Sequence, residues 1–229
     1  RALGSTDKIT LIGGEPDPPD QRPPLSKGYL LGEMERERLF LRPRDWYGDN
    51  DITLLTGAPV TRIDRAAKTV AVGGHDHAYD KLVLATGAIP NRLPASIGGA
   101  LAQVFTIRSL ADIDRLEPFV THGARALVVG GGYIGLEAAA VARKRGVEVH
   151  LVEMAPRILG RVACEETADW FRELHRSHGV EVLEDTGLDH LTHKDDHLTG
   201  AVLSDGRNLS LDFVIAGTGI RPDTRLAES

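Results

Sequence analysis

A single cysteine, Cys164, stands in a chain of 229 residues. It has no partner for an internal disulfide, which points to a reducing compartment, the cytoplasm. An excess of positive charge is also missing. Lysine and arginine number 27 against 33 aspartates and glutamates, a formal net charge of −6. General nucleic-acid binding usually rests on a basic surface, so that class is set aside. No apolar run approaches the roughly 18 residues that a membrane span needs. What remains is a chain with 41% apolar residues, able to bury one large core or two modest ones.

What is present is a duplication. Asp80-Lys-Leu-Val-Leu-Ala-Thr-Gly-Ala-Ile-Pro-Asn91 aligns without a gap against Asp212-Phe-Val-Ile-Ala-Gly-Thr-Gly-Ile-Arg-Pro-Asp223. Each copy has an acidic residue, an apolar strand-like run, Thr-Gly and a proline. Short strands are expected before each, at Ile52 to Leu55 and at Val180 to Leu183. Alternating segments then turn at Gly73-Gly74 and at Asp205-Gly206. Each copy therefore reads as a strand, a small antiparallel meander and a return strand ending in Thr-Gly.

The second copy opens with a further unit. Ala126 to Val129 predicts a strand, Gly130-Gly-Gly-Tyr-Ile-Gly135 a turn, and Leu136 to Arg145 a helix that Gly146 ends. Val147 to Val152 closes a βαβ unit. The first copy enters late: Arg1 to Gly4 reads as a helix end and Ile9 to Ile12 as the second strand. By the symmetry, a strand, a glycine turn and most of a helix are expected upstream of Arg1.

A lone G-x-G-x-x-G is a weak signal, but here it follows a strand and opens a helix. Gly130 permits the sharp turn, Gly132 lets a pyrophosphate approach the backbone, and Gly135 lets the helix pack on the strand. The helix start offers free N–H groups and the positive end of its dipole. Glu153, directly after the second strand, can accept both hydroxyls of an adenosine ribose and repel a 2′-phosphate. That favours NAD, and Arg157 keeps a small opening for NADP.

Several further segments are informative together: Arg22-Pro-Pro-Leu-Ser-Lys27, Leu84-Ala-Thr-Gly87, Val129-Gly-Gly-Gly-Tyr-Ile-Gly-Leu-Glu137, His175-Arg-Ser-His-Gly-Val180 and Ala216-Gly-Thr-Gly-Ile-Arg-Pro222. On these, the chain resembles the FAD-dependent, NADH-using ferredoxin reductases of oxygenase systems, and more broadly the glutathione-reductase-like flavoproteins. The resemblance implies an α/β fold of two Rossmann-like domains, each a parallel sheet with flanking helices and a small β-meander. Residues 1–106 would be an incomplete FAD-binding domain and 107–229 the NAD-binding domain. It implies Lys27 beside the flavin N5 edge, its ammonium stabilising negative charge. Glu137 would approach Lys27 and the nicotinamide carboxamide. From charge alone Lys27 and Glu137 read as exposed surface residues, and only the resemblance reverses this.

The same resemblance makes Glu15 the ligand of the FAD ribose, although Gly14 stands where the pattern has its acidic residue. It places Val60 at the adenine, Thr86 and Gly87 at the turn beside the flavin cofactor, and Arg108 against the flavin. Tyr133 would lie beside the nicotinamide, with helix-start packing as its plain alternative. Ile134 and Gly219 complete the implied dinucleotide contacts.

Two absences prune the possibilities. The redox cysteine pair of the disulfide reductases has no counterpart here, and Ser26 stands in the region where single-cysteine NADH oxidases and peroxidases carry theirs. Cys164 reads as a packing residue. Electrons must leave the flavin without a thiol, which fits a [2Fe–2S] ferredoxin as partner carrier.

Other features read plainly. His193 to His197 predicts a solvated hairpin turn, not a metal site. His175 and His178 are expected on a helix surface. Glu33 to Arg44 predicts an exposed charged helix face, where Arg42 and Arg44 would suit an acidic carrier. The expected activity is hydride transfer from NADH through FAD to such a carrier. Alternatives are an NADH reductase acting directly on a quinone, dye or oxygen, and an NAD-binding protein without turnover. Without the upstream glycine turn, this chain is expected to hold FAD weakly.

Overall fold

In the computed structural model the described residues are Gly4 and 6–228. Apart from Gly4, the expected helix end at the start of the chain lies outside them. The fold is mixed α/β, divided into two compact units. One comprises residues 1–21, 34–88 and 222–229; the other comprises 22–33 and 89–221.

In the first unit, β1 (Ile9–Ile12) is followed by helix α1 (Arg44–Asp49) and β2 (Ile52–Leu55). β1 and β2 pair in parallel, Ile9 with Ile52 through Ile12 with Leu55. A meander follows: β3 (Val60–Asp64), β4 (Thr69–Val72) and β5 (His75–Ala78), all antiparallel, with the expected turn at Gly73-Gly74. Val70 and Val72 are buried while their neighbours are not, the period of a half-covered strand.

Two expectations for this unit are corrected. Glu33 to Arg44 forms no charged helix; it holds one 3₁₀ turn at Arg36–Leu39, and Phe40 then bridges to Asp20. Leu39 is fully buried, so the segment is anchored by an apolar side chain rather than presented as a helical face. The run Leu82 to Leu84 is not a buried return strand either. It pairs with no strand among the described residues, and Val83 is 86% exposed. An apolar run becomes a core strand only when neighbouring strands satisfy its backbone and cover its faces.

Two short elements lead into the second unit's sheet. β6 (Ala88–Pro90) lies where the chain leaves the first unit, and β7 (Val104–Phe105) precedes helix α2 (Leu110–Leu116). Ser109 caps α2 reciprocally: its Oγ accepts from the Asp112 amide, and the Asp112 carboxylate accepts from the amides of Ser109 and Arg108. Then come β8 (Arg125–Val129), α3 (Tyr133–Lys144), β9 (Glu148–Val152), α4 (Glu165–Ser177) and β10 (Val180–Leu183). β11 (Leu188–Lys194), β12 (His197–Leu203) and β13 (Asn208–Ser210) form a second meander, and β14 (Phe213–Ala216) returns to the sheet. The parallel order is β10-β9-β8-β14-β7.

Here the duplicated run does become a core strand. Phe213 to Ala216 are all buried, with β8 on one side and β7 on the other. Leu191, Leu198, Ala201 and Leu203 of the meander pack with Leu127, Val152 and Val214 of the sheet in one apolar cluster. α3 buries Gly135, Leu136, Ala138, Ala139, Val141 and Ala142. Four alanines favour the helix, and three of them, Ala138, Ala139 and Ala142, keep that face flat; basic Arg143 and Lys144 suit its C-terminal end. The helix begins at Tyr133, a turn earlier than expected, because part of the glycine motif is itself helical.

His178 is exposed as expected, but His175 is buried. Its ring nitrogens lie 2.8 Å from the Phe171 carbonyl and 3.1 Å from the Leu136 carbonyl. Spacing along α4 could not reveal this, since the burial comes from α3. The last strand among the described residues, β15 (Ile220–Pro222), pairs with β6.

The repeat is visible in hydrogen bonds as well as in sequence. In the first unit, Thr86 Oγ1 donates to the Asp223 carbonyl at 2.5 Å, and the Asp223 amide donates to Gly87 at 3.0 Å. In the second, Thr218 Oγ1 donates to the Asn91 carbonyl at 3.0 Å, and the Asn91 amide donates to Gly219 at 2.9 Å. These are the same bonds at matching positions of the two copies.

Asp212, the acidic residue opening the second copy, accepts from the Arg125 amide at 2.8 Å and from its guanidinium at 3.0 Å, tying β14 to β8. The Arg125 hydrogen bond holds this carboxyl below its ordinary range, against a smaller opposing effect of burial. A depressed carboxylate contributes stability above its unfolded value and loses it as pH falls through the folded one. The pair is exposed and screened, so Asp212→Asn is expected to lower Tm at pH 7 by only ~1–3 °C. Thermal melts should show that difference shrinking as pH falls below the ordinary aspartate value of 3.8. A deficit of the same size at pH 2 would assign it to something other than the charge.

Candidate functional site

The second unit gathers its chemistry at one end of the parallel sheet, where β8 gives way to α3. Gly130 has φ +109°, a conformation that side chains rarely adopt, and a Cβ there would stand 2.5 Å from the Gly217 carbonyl oxygen. At Gly135 a Cβ would lie 2.0 Å from the Gly130 oxygen, so the helix can approach the strand only without a side chain. Gly132 is different: a Cβ there would meet nothing within 4 Å. That glycine is not demanded by packing, and it leaves an open approach to the backbone. No side chain caps α3 at Gly132, so the first-turn amides, which lack intrahelical acceptors, remain available. Tyr133 and Ile134 are exposed beside them.

Glu153 follows β9 and turns towards the same loop. Its Oε2 accepts from the Gly131 amide at 2.8 Å and its Oε1 from the Ala155 amide at 2.9 Å. Each oxygen keeps further acceptor capacity, so this fixed carboxylate can take sugar hydroxyls. Arg157 does not reach into the site. Its guanidinium donates to the carbonyls of Ala163 (2.9 Å) and Gly160 (3.5 Å) within its own loop. Glu153→Ala is accordingly expected to weaken NADH binding about tenfold to a hundredfold. Fluorescence titration measures it, and an unchanged Kd would remove Glu153 from the site.

Glu137 lies on the same helix, one turn beyond Tyr133. Its Oε1 stands 2.8 Å from Lys27 Nζ, and its Oε2 accepts from Ser26 Oγ at 2.6 Å. Lys27 departs from helical geometry (φ −126°, ψ −111°) inside the short wide-turn helix Leu25–Tyr29, and it also donates to the Pro23 carbonyl at 3.3 Å. With side chains 50% and 28% exposed, the pair is neither a buried bridge nor a freely solvated one. The segment that carries it is tied down along its length. Tyr29 donates to Asp114 (2.7 Å), Arg145 to the Leu30 carbonyl (3.1 Å) and Lys144 to Glu33 (2.7 Å). Arg22 donates to the Arg108 carbonyl at 3.0 Å.

The second unit thus brings together Gly130, Gly132, Tyr133, Ile134, Gly135 and Glu153, and it also holds Gly219, Lys27, Arg108 and Glu137. Glu15, Val60, Thr86 and Gly87 belong to the first unit. Glu15 lies three positions beyond the end of β1, whereas Glu153 immediately follows β9. The Glu15 carbonyl accepts from the Gly57 amide at 2.7 Å. Sequence reasoning missed Ser26 as a partner of Glu137 and Gly131 as a partner of Glu153. Ser26 had a signal, its place beside Lys27; Gly131 was hidden because its amide, not its side chain, makes the bond.

The family described as pyridine nucleotide-disulphide oxidoreductase matches residues 1–229. The ferredoxin reductase subunit of 5,5′-dehydrodivanillate O-demethylase from Sphingobium sp. (strain NBRC 103272 / SYK-6) is 41% identical over 98% of this chain and 55% of that protein. Rhodocoxin reductase from Rhodococcus erythropolis is 39% identical over 99% of this chain and 53% of its own. The crystal structure of the covalent putidaredoxin reductase–putidaredoxin complex superposes with a TM-score of 0.95 at 37% identity, covering 99% of this chain and 56% of that one. The chain spans about half the length of the curated relatives it matches.

Proposed function

The chain belongs to the pyridine nucleotide-disulphide oxidoreductase family, and within it we propose the cofactor-binding part of an NADH-dependent, FAD-containing ferredoxin reductase. In this reading residues 107–229 bind NAD and residues 1–106 bind FAD. Electrons leave one at a time to a [2Fe–2S] carrier; one relative is named as a ferredoxin reductase subunit and another as a rhodocoxin reductase. With one cysteine and, among the described residues, no helix long and apolar enough to cross a membrane, the reducing cytoplasm is the proposed compartment.

The observation that carries the reading is the double use of α3. Its first turn offers amides and an open glycine to a diphosphate, and its second turn holds Glu137 against Lys27 at 2.8 Å. The residues fit the nucleotide: Gly132 leaves room where the phosphates need it, and Glu153 is already oriented by two amides. Glu153 would hold the adenosine ribose, the α3 amides the diphosphate, and Tyr133 and Glu137 the nicotinamide end. Lys27 would place its ammonium where negative charge accumulates, and Glu137 would keep that ammonium in position. In the first unit Glu15, Val60, Thr86 and Gly87 are the proposed FAD contacts. Bound FAD supplies the change from two-electron to one-electron chemistry. Arg157 is tied to carbonyls of its own loop and is not prepared for a 2′-phosphate, which supports NADH over NADPH.

Anaerobic titration of the flavin-loaded protein with NADH, followed by addition of oxidised [2Fe–2S] ferredoxin, tests the proposal. Stoichiometric bleaching and then rapid recovery of the yellow colour are expected. Recovery with quinone or oxygen but not with ferredoxin would turn the reading towards a reductase of small acceptors.

A further inference from the structure

We propose that Ser26 is a positioning residue, whose hydroxyl fixes one oxygen of Glu137 so that the other holds the Lys27 ammonium in a single place. The inference deepens the proposed function and rests on its assignment of Lys27 and Glu137. Ser26 is 2% exposed, and its Oγ donates to Glu137 Oε2 at 2.6 Å, while Lys27 Nζ stands 2.8 Å from Oε1. Adjacent residues of one segment thus grip the two oxygens of one carboxylate on α3.

The physical case is one of torsions. The terminal torsion of a glutamate is broad, so a carboxylate held at one oxygen swings readily. Lysine cannot stop that swing, because it has a long flexible stem, and half-exposed ion pairs hold weakly. A serine has one χ angle and one hydroxyl proton, and here burial already confines the side chain. A hydrogen bond to an ionised acceptor is among the stronger ones. Once Oε2 is pinned by a buried donor, Oε1 presents a fixed target to the ammonium. The outer ties at Leu30 and Glu33 hold the segment along α3, but they do not touch Glu137 and cannot set its plane.

The test compares Ser26→Ala and Ser26→Thr in the flavin-loaded protein with two readouts. The first is a brief pulse of an amine-acylating reagent, followed by peptide mapping of Lys27 against Lys68 and Lys81. In Ser26→Ala the Lys27 signal is expected to rise about fivefold, as an ammonium released from its pair becomes accessible, with the two reference lysines unchanged. The second is stopped-flow reduction by NADH. Its limiting rate is expected to fall about tenfold while the apparent Kd for NADH stays within about twofold. Ser26→Thr, which keeps the hydroxyl, should restore both; if threonine does not fit, Ser26→Cys should lie between, as a weaker donor.

Unchanged Lys27 labelling in Ser26→Ala overturns the inference. So does a rise shared with Lys68 and Lys81, since that is general loosening and not lost positioning. Lys27→Met separates this outcome from failure of the function itself. If Lys27→Met leaves the limiting rate intact while Ser26→Ala raises Lys27 labelling, the positioning stands and the assigned chemistry falls. If Lys27→Met slows reduction but Ser26→Ala leaves labelling unaltered, only the role given to Ser26 is lost.

Discussion

Gly132→Asp is expected to fold like the parent chain and yet to bind NADH about a hundredfold more weakly. Folding is spared because a Cβ at this position meets nothing within 4 Å, and the backbone there (φ −82°, ψ −179°) is open to any residue. Binding suffers because the added carboxylate would stand where a diphosphate must approach, close to the α3 amides it needs. Like charge at a few ångströms in a partly dry site costs several kcal/mol, of the order of 4 at an effective dielectric of about 20. Gly135→Val makes the contrast. Its Cβ would lie 2.0 Å from a backbone oxygen, so ~3 kcal/mol and a Tm loss of about 6–12 °C are expected before cofactor binding is considered. Thermal melts and fluorescence titration on both variants measure these effects. Full NADH affinity in a folded Gly132→Asp protein would rule this turn out as the diphosphate seat.

Lys27→Met should slow flavin reduction by NADH about a hundredfold while leaving NADH affinity nearly unchanged. Methionine keeps much of the stem's length and loses the charge. The Lys27 side chain is 50% exposed, so stability has little to lose, and any large fall in Tm would point to a structural role instead. Stopped-flow absorbance gives the limiting rate and the apparent Kd separately. A fall in affinity with an unaltered limiting rate would make Lys27 a binding residue, contrary to the role proposed.

The βαβ unit around β8, α3 and β9 was legible because its signals are local. Glycines mark the turn, apolar runs mark two strands buried on both faces, and an acidic residue closes the unit. The duplication was legible because one twelve-residue pattern occurs twice, with Asp, Thr-Gly and Pro at matching positions. Yet the two copies differ in structure, and no residue within Leu82 to Leu84 distinguishes it from Phe213 to Ala216. The difference lies in partners: β14 has β8 and β7 beside it, whereas the earlier run has none among the described residues. His175 is a similar case, a polar residue whose burial is decided by a different helix. Ser26 shows the limit most clearly, because its partner Glu137 is distant in sequence and no periodicity connects them.

The crowding of Gly130, Gly135 and Gly217 has a consequence for anyone redesigning this protein. Gly217 stands 2.5 Å from where a Gly130 side chain would begin, and its own Cβ would sit 3.3 Å from Gly135. Three stretches of backbone therefore mesh like gear teeth: Gly130 and Gly135 offer a mutational library no tolerated diversity, and at Gly217 any side chain would require its neighbours to give by a few tenths of an ångström. Altered coenzyme preference must be sought instead at Glu153, which meets this turn through its side chain rather than its main chain.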